Sequence, residues 1–512
     1  MNKIALMILV SVAVASCSES PVPADVTREK AASPLASLAV LGTVHDRFQA
    51  YNVEMVEVTG GRFWAPYDGP AEEVYRYREP LDLTDERIRH LAQHLAPSLM
   101  RVSGTWANNT YVALDGESAE TVPEGFKQVL TTDQWRGVVA FSKAVDAPII
   151  TSFAASSGTR EEGQWVPAQA QRLLDLTRVE GGELYAAEFF NEPNVVAAVH
   201  GIAPGYAAED YGRDFRVFAE WARSAAPEMQ VLGPGGVNED PEQVETLRRV
   251  MGSYLLSSDL MSQNPDSVDV VSYHYYGAIS KRCAAMGIGS GADPSQALTA
   301  EWLDKTGHDA DAYAALRDQF EPGKPIWLTE TAQAACGGSP WASTFLDSFR
   351  YLNQLGLLAQ KGVQVVMHNT LSASDYALID QDTLEPLPNY WSAVLWRKVM
   401  DRTVLASPPA SAPTLKTYAH CLRNAEGGVG ILAINIGDQP AVVELGVAAD
   451  IWVMTADQLD ASVVSINGEM PSVSQNGEIA GLAPVTTEGR LTVPSHAIAF
   501  AAVAEAEHPE CR

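Results

Sequence analysis

The feature of this sequence that most constrains its fold is an alternation of short apolar runs with longer amphipathic stretches. Between residues 50 and 370 there are eight apolar runs of strand length, and the segments between them have helical spacing of their apolar residues. The predicted strands are 51–58, 98–103, 148–154, 184–190, 230–233, 268–273, 326–329 and 363–367. Eight strands that alternate with helices predict an α/β fold, a closed parallel (β/α)8 TIM barrel.

A second domain is predicted after the barrel, which we expect over residues 48–405. The chain has 512 residues, whereas such a barrel needs about 250. Residues 406–413 are rich in Pro, Ser and Ala and predict a linker. Beyond it, short β-rich runs separated by turn signals predict a C-terminal antiparallel β-sandwich domain over 406–512. We expect a strand in the segment 36–47, ahead of the barrel, to pair with the sandwich.

The first residues are predicted to be a targeting segment rather than part of the fold. A positive charge at Lys3 precedes an apolar run over 4–14 that is too short to span a bilayer. The run ends in small residues and Cys17, which resembles the lipobox of bacterial lipoproteins. This implies a signal peptide over 1–17, lipidation of Cys17 and a linker over 18–35. An ordinary signal peptide is the alternative, and in both cases we expect an exported protein, periplasmic or anchored to the outer membrane.

The charge and the cysteines limit the partners and the compartment. A formal net charge of −29 argues against nucleic acid and against anionic membrane surfaces, so membrane contact is expected only through a lipid anchor. Four cysteines remain in the body of the chain, and an exported chain permits two disulfides among them. Three pairings are possible. Order along the chain favours Cys283 with Cys336 and Cys421 with Cys511.

Two of the predicted strands end in a carboxylate. Glu192 follows the fourth strand within Asn191-Glu192-Pro193, and Glu330 follows the seventh strand. In a parallel barrel the chemistry lies at the C-terminal ends of the strands. A carboxyl group half in an apolar wall has a raised pKa and can serve as a general acid. The pair predicts glycosidic bond cleavage, in which one carboxyl protonates the leaving oxygen while the other attacks or activates water.

Polar and aromatic residues at the other strand ends match what a sugar ring requires. The candidates for substrate contact are Glu54, Thr105, Asn191, His274, Tyr276 and Asn369. Asn191 could bond a hydroxyl next to the reacting carbon, and Tyr276 could orient the carboxylate of Glu330. The alternative for such residues is that they pack the rim of the barrel.

Two other chemistries fit the sequence less well. A zinc site usually includes a local histidine pair such as His-x-x-x-His. The pair His90 and His94 has this spacing, but it lies in a predicted helix, over 83–95, and not at a strand end. We therefore expect no metal and no other cofactor. A serine hydrolase needs a Gly-x-Ser-x-Gly elbow after a strand. The similar stretch 287–291 lacks that strand.

The sequence resembles a known group of glycosidases. Asn191-Glu192-Pro193 together with Trp327-Leu328-Thr329-Glu330-Thr331 is similar to the clan of retaining barrel glycosidases, called clan A. The stretches 330–338, 352–357, 363–367, 375–378 and 386–391 resemble glycoside hydrolase family 79, that of heparanase and β-glucuronidase. The resemblance extends from about residue 48 to the C-terminus. It implies the barrel and sandwich, with Glu192 as acid/base and Glu330 as nucleophile.

The resemblance also implies substrate contacts and one disulfide. Asn191, Tyr276, Gly337, Gly338 and Tyr376 would touch the substrate. The two glycine amides and Tyr376 would hold the carboxylate of a uronic acid. Cys421 and Cys511 match the disulfide of the family's sandwich domain.

The expected activity is that of a retaining exo-β-glucuronidase that releases terminal β-linked glucuronic acid from glycans. Two departures from heparanase bear on this: Asn369 stands where heparanase has glutamine, and the basic runs that bind sulfated chains are missing. The alternatives are a heparanase-like endo-glycosidase on a uronic-acid polymer and a non-catalytic glycan-binding lipoprotein. Neither the linkage nor the oligomeric state follows from the sequence.

Overall fold

The computed structural model of the chain describes residues 33–512 except 68, 71, 72, 238, 240, 286 and 288–290. The predicted signal peptide, Cys17 and most of the predicted linker lie outside the described residues. Within the described residues, no helix combines the length and the apolar character that a membrane crossing would require.

Eight parallel strands close into a barrel, which confirms the predicted fold class. Neighbouring strands pair in parallel, and the eighth pairs with the first through Val366 and Gln49. We number them barrel strands 1 to 8 in chain order. Their bounds are Gln49–Glu54, Met100–Ser103, Ile149–Ser152, Leu184–Glu188, Gln230–Val237, Val270–Tyr276, Ile326–Ala332 and Val365–His368.

The differences from the predicted strands are at their ends. Barrel strand 1 stops at Glu54, and the rest of the predicted strand forms the short helix Met55–Thr59. The side chain of Glu57 accepts a hydrogen bond from the backbone N–H of Glu54 and so favours the helical turn. Barrel strand 5 extends four residues further than predicted, to Val237.

Helices surround the barrel. Some begin at a residue whose side chain caps the first turn: Asp85, for example, accepts hydrogen bonds from the N–H groups of Arg87 and Ile88. The helices are Met55–Thr59, Glu86–Gln93, Thr132–Ala144, Ala168–Val179, Ala208–Ala225, Pro241–Met251, Ser257–Ser262, Lys281–Ala285, Ala300–Phe320, Phe345–Gln360 and Pro388–Val399. Short 3₁₀ helices are Pro34–Ser37, Ala107–Asn109, Ser157–Thr159, Val196–Ala198 and Pro294–Gln296.

The interior of the barrel divides into an apolar and a polar half. Apolar side chains from the N-terminal halves of the strands form one buried cluster: Ala50, Leu99, Ile150, Ala186, Leu232, Val270, Trp327, Val365 and Met367. Charged and polar side chains from the C-terminal halves lie beyond it, and they include the fully buried Arg101, Glu188 and His274. The apolar half therefore acts as the floor of a polar site.

Eight further strands form an antiparallel sheet with its own apolar core. They are Val40–Thr43, Met400–Leu405, Leu415–Leu422, Val429–Asn435, Ala441–Thr455, Ser465–Ile466, Val485–Val493 and Ala497–Val503. Val40–Thr43 pairs with Met400–Leu405, so the N-terminal strand lies in this sheet. Met400–Leu405, which the sequence analysis places in the barrel, is a strand of this sheet as well. The strands that pair with Met400–Leu405 place it in the antiparallel sheet, and its composition does not reveal these partners.

One helix connects the two layers. Nearly every residue of Phe345–Gln360 is buried, because the helix lies between the barrel and the sheet. The ring of Tyr418 packs where a side chain at Gly356 would stand, and its hydroxyl donates to Asn353 at 2.7 Å. Glycine at position 356 therefore permits the close approach of the sheet.

The remaining strands form two-stranded ribbons outside both layers. They pair Gly61–Trp64 with Tyr75–Arg78, Thr110–Val112 with Gln128–Leu130, Arg160–Glu161 with Gln164–Trp165, and Ser472–Val473 with Ile479–Ala480. Two disulfides join Cys283 to Cys336 and Cys421 to Cys511, the pairs that chain order favours.

Candidate active site

Three residues from three barrel strands meet at the C-terminal end of the barrel. One carboxylate oxygen of Glu192, one of Glu330 and a ring nitrogen of His274 all lie within 4.8 Å of one another. Glu192 follows strand 4, His274 lies in strand 6 and Glu330 lies in strand 7. The two sequence-predicted carboxylates are therefore brought together. Their short separation resembles that of retaining glycosidases, about 5–5.5 Å, more than the 6.5–9.5 Å of inverting ones.

Both oxygens of Glu330 accept hydrogen bonds. Nη1 of Arg101 donates to one oxygen at 2.8 Å, and the hydroxyl of Tyr276 donates to the other at 2.6 Å. Glu330 is 5% exposed, so little water competes with these donors. A carboxylate that accepts from a guanidinium and a phenol is fixed in orientation, as a nucleophile must be.

Glu192 has different surroundings. Burial raises the pKa of Glu192, and the negative charge of Glu330 raises it further, whereas a hydrogen bond with His274 lowers it. The side chain remains 16% exposed and contacts Nδ1 of His274 at 3.1 Å. The surroundings of Glu192 thus favour its protonated form, which suits a general acid.

The loop that carries Glu192 is clamped by two asparagines. Asn108 donates to the carbonyl of Asn191 and accepts from its N–H, both at 2.8 Å. Asn194 donates to the carbonyl of Val237, at the end of strand 5, at 2.6 Å. Glu192 itself has a positive φ of 50°, a conformation that non-glycine residues rarely adopt. The clamps hold this turn and so fix the position of the carboxyl group.

Arg101 and Glu188 are the central residues that the sequence reasoning missed. Nε and Nη2 of Arg101 both donate to Oε2 of Glu188, at 3.0 and 2.8 Å, and Nη2 also donates to Asn191 at 2.7 Å. Burial alone would raise the pKa of Glu188, but the charge of Arg101 lowers it well below its usual range. Burial alone would lower the pKa of Arg101, but Glu188 and Glu330 raise it. A charged residue inside an apolar strand run was the signal that could have revealed both.

His274 completes the charge arrangement. Burial alone would lower the pKa of His274, but Glu330 and hydrogen bonds to Glu188 and Glu192 raise it to about 9. Nη2 of Arg101 lies 3.2 Å from Nε2 of His274. The two hydrogens of this Nη2 have nearer acceptors, which are Oε2 of Glu188 and the side-chain oxygen of Asn191. The contact therefore does not require a neutral ring. Two cations, Arg101 and His274, thus face two anions, Glu188 and Glu330.

A second polar network adjoins Glu330 on the other side. The side-chain nitrogen of Asn369 lies 3.1 Å from the Tyr276 hydroxyl, 3.1 Å from Glu54 and 3.2 Å from the Tyr376 hydroxyl. Burial raises the pKa of Glu54 well above its usual value, and the charge of Glu330 raises it further. Its other oxygen is buried without a partner among the described residues. The network therefore brings together four of the sequence-predicted site residues.

The loop after strand 7 contains the two predicted glycines. Gly337 and Gly338 have φ values of 83° and 81°, which favour glycine. The N–H of Gly338 donates to the carbonyl of Ala334, so this amide is engaged within the loop. The N–H of Gly337 has no acceptor among the described residues. Of the two amides that the resemblance assigns to a substrate carboxylate, that of Gly338 is thus occupied and that of Gly337 is not paired within the described residues.

Other residues at the rim include the predicted Thr105 and two tryptophans. Thr105 is half-buried, and its carbonyl accepts from Asn109 at 3.4 Å. Trp64 and Trp106 are half-buried and meet edge to face with ring centres 6.3 Å apart. Cβ of Trp64 lies where a side chain at Gly337 would stand, so the ribbon Gly61–Trp64 covers the glycine loop. Sequence periodicity gives no signal for such a contact.

The trio of Glu192, His274 and Glu330 also has the spacing of a metal site. Within the described residues, however, both oxygens of Glu330 and Nδ1 of His274 already contact protein groups. The donor set is thus satisfied by hydrogen bonds, and the expectation of no metal stays a prediction.

Comparison with known proteins gives sequence relatives and fold relatives. No protein-family model matches the chain. Heparanase-like protein 1 of Arabidopsis thaliana is 27% identical over 70% of the chain, which spans only 65% of that relative. Baicalin-beta-D-glucuronidase of Scutellaria baicalensis is 23% identical over 79% of the chain and 80% of the relative. Hyaluronoglucuronidase of Hirudo nipponia is 24% identical over 84% of the chain and 92% of the relative.

A solved structure shares the fold. The 4-O-α-L-rhamnosyl-β-D-glucuronidase of Fusarium oxysporum aligns with 92% of the chain and 99% of its own, with a TM-score of 0.61 and 11% identity. At this identity the match reports the architecture alone. The sequence relatives carry the closer relation, and the chain is similar in sequence to heparanases and β-glucuronidases, as its motifs predict.

Proposed function

We propose that the chain is a retaining glycoside hydrolase that releases terminal β-linked glucuronic acid from glycans. The observation that carries the proposal is the pairing of Glu330 with Glu192. Two donors hold Glu330, and burial raises the pKa of Glu192. Glu330 attacks the anomeric carbon while Glu192 protonates the leaving oxygen. In the second step Glu192 takes a proton from a water molecule, whose oxygen attacks the anomeric carbon and displaces the carboxylate of Glu330.

Selectivity for a uronic acid would come from donors that carry no charge. Burial raises the pKa of Tyr376 well above its usual range, so its hydroxyl keeps its proton and can donate. Asn369 contacts that hydroxyl at 3.2 Å, which leaves the hydroxyl hydrogen for another partner. With the N–H of Gly337, Tyr376 could hold the sugar carboxylate at contact distance. Contact at this range is consistent with a net charge of −29, because that charge is screened beyond about 8–10 Å.

Internal cleavage of a uronic-acid polymer is a second candidate. The alignment that spans 92% of a hyaluronoglucuronidase favours it. Asn369 and the missing basic runs speak against a sulfated substrate of the heparanase kind. The two disulfides fit an oxidising, extracytoplasmic compartment.

A panel of aryl β-glycosides tests the proposal. We expect the glucuronide to be hydrolysed faster than the glucoside, galactoside or xyloside, with glucuronic acid first released as the β-anomer in proton NMR. Tyr376→Phe should reduce the preference for glucuronide over glucoside, because a neutral sugar never used that hydroxyl. The matched control is Tyr77→Phe, whose ring is 59% exposed.

Each outcome separates the candidates. A wild-type preference for the glucoside, or an unchanged ratio in Tyr376→Phe, would contradict the uronic-acid pocket. Oligosaccharides of intermediate length from hyaluronan or heparan would indicate internal cleavage. Glycan binding without turnover of any aryl glycoside would indicate a binding protein.

A further inference from the structure

Glu188 is a buried anion that the proposed reaction does not use. It is the last residue of strand 4 and is 0% exposed, so no substrate can touch it. Its Oε1 accepts from the hydroxyl of Thr329 at 2.7 Å, and its Oε2 accepts from Arg101. The place where a side chain at Gly235 would stand is 3.1 Å from Glu188. An ionised carboxylate is kept in such a place only with charged partners.

The partner of Glu188 is also the partner of Glu330. Arg101 uses Nε and one hydrogen of Nη2 on Glu188, which leaves Nη1 for Glu330. The guanidinium is planar and rigid, so its two bonds to Glu188 fix the direction of Nη1. Without the carboxylate of Glu188, the guanidinium of Arg101 could rotate and donate two hydrogen bonds to Glu330.

We propose that Glu188 is a positioning residue that divides the hydrogen bonds of Arg101 and so limits Glu330 to one of them. A carboxylate with two guanidinium bonds is more stabilised than one with a single bond, and it attacks more slowly. Glu188 thereby holds the nucleophile in place and leaves it reactive. This inference rests on the proposed function, in which Glu330 is the nucleophile.

The sign of the expected pH effect follows from the charged groups around the pair. Arg101, His274 and Tyr211 face Glu188. The groups facing Glu330 are Arg101, His274, Tyr276, Tyr376, Glu54 and Glu192. In acid, both Arg101 and His274 are cations. Removal of the Glu188 charge directs the attraction of both cations to Glu330, which favours the charged form of the nucleophile.

The test is the pH profile of kcat/KM with a 2,4-dinitrophenyl glycoside. This leaving group needs little acid help, so the acidic limb reports on the nucleophile. For Glu188→Gln we expect that limb to move to lower pH by about one unit, with kcat at least about tenfold lower and KM changed less than about threefold. Glu188→Asp keeps the charge and should leave the limb in place. It should still lower kcat about tenfold, because the shorter side chain shifts the guanidinium.

A matched control separates positioning from stability. Asp347 makes a buried two-pronged pair with Arg350, at 2.7 and 2.8 Å, in a helix outside the barrel. Asp347→Asn should lower Tm, as Glu188→Gln should, but leave the acidic limb unchanged. An unmoved limb in Glu188→Gln would overturn the proposal. If that variant does not fold, a kcat of Glu188→Asp within twofold of wild type would overturn it.

Failure of the proposed function gives a different result. If wild type hydrolyses no aryl glycoside, the glycosidase assignment fails, but a carbon-13 NMR titration still tests the charge arrangement. The carboxyl resonance of Glu330, assigned by its loss in Glu330→Gln, should titrate at lower pH in Glu188→Gln than in wild type. Titration at the same or a higher pH would overturn the inference.

Discussion

The two carboxyl groups at the mouth of the barrel differ in their immediate neighbours. Glu330 has a guanidinium and a phenol as donors, whereas Glu192 contacts a histidine and is largely buried. Burial and the nearby negative charge raise the pKa of Glu192. This difference in local charge supports the two roles that we propose for one residue type.

The Glu330→Gln variant tests the nucleophile. The amide has nearly the same shape, so we expect the fold to persist and hydrolysis to fall about 10³-fold or more. Glu117→Gln is the matched control, since Glu117 lies at the surface in an ion pair with Arg172. Activity of Glu330→Gln within about tenfold of wild type, measured by steady-state kinetics, would contradict the assignment of Glu330 as the nucleophile.

The Glu192→Ala variant tests the acid/base. General acid help is worth about 10²–10⁴ in rate, and an acidic leaving group needs less of it. We therefore expect a larger loss on an alkyl glycoside than on a nitrophenyl glycoside, and partial rescue by added azide. Equal losses on both substrates, without rescue, would count against this role.

At the scale of the element, the turn after strand 2 determines the shape of the site. Gly104 has a φ of 92°, and a β-carbon there would lie 1.6 Å from Oε2 of Glu54. Gly104→Ala should therefore lower both Tm and kcat/KM. Gly116 has a φ of 90° but open space around it. Gly116→Ala carries the same backbone strain of about 1 kcal/mol without the clash, so its activity should match wild type. Equal activity of the two variants would show that the contact with Glu54 is unimportant.

The strands were predictable, and so were the residues that end them. Apolar runs locate barrel strands, and a carboxylate after such a run falls at the catalytic end by geometry. Arg101 and Glu188 were not predicted as site residues because they lie inside the apolar runs. A charged residue in a buried strand is unfavourable unless a partner neutralises it, and the partner lies on another strand that the sequence does not identify. The assignment of Met400–Leu405 to the barrel has a similar cause. Its neighbours in the sheet, Val40–Thr43 and Leu415–Leu422, are set by pairing between separate segments, which composition does not reveal. The engagement of the Gly338 amide is likewise a property of loop conformation.

For the whole molecule, the two disulfides close loops of different length in different places. They separate their cysteines by 53 and 90 residues, for which chain entropy predicts about 4–5 kcal/mol of stabilisation each. Replacing either pair with serine should lower the unfolding free energy by up to that amount. Only the Cys283 and Cys336 pair adjoins Gly337, so only its loss should raise KM for a glucuronide. Peptide mapping that finds Cys421 and Cys511 as free thiols would contradict the expected stabilisation by this disulfide.

The pairing of Val40–Thr43 with Met400–Leu405 sets an order of events during folding. Thr43 is among the first described residues to leave the ribosome, but its partner Thr403 is made only after all eight barrel strands. The N-terminal strand must therefore wait, with its backbone groups unpaired, until the barrel is complete. Closure of the sheet across that sequence distance is a slow, late step. A nascent chain that ends just before Met400 should thus contain all eight barrel strands and a free N-terminal segment, which protease digestion of stalled chains would cut first.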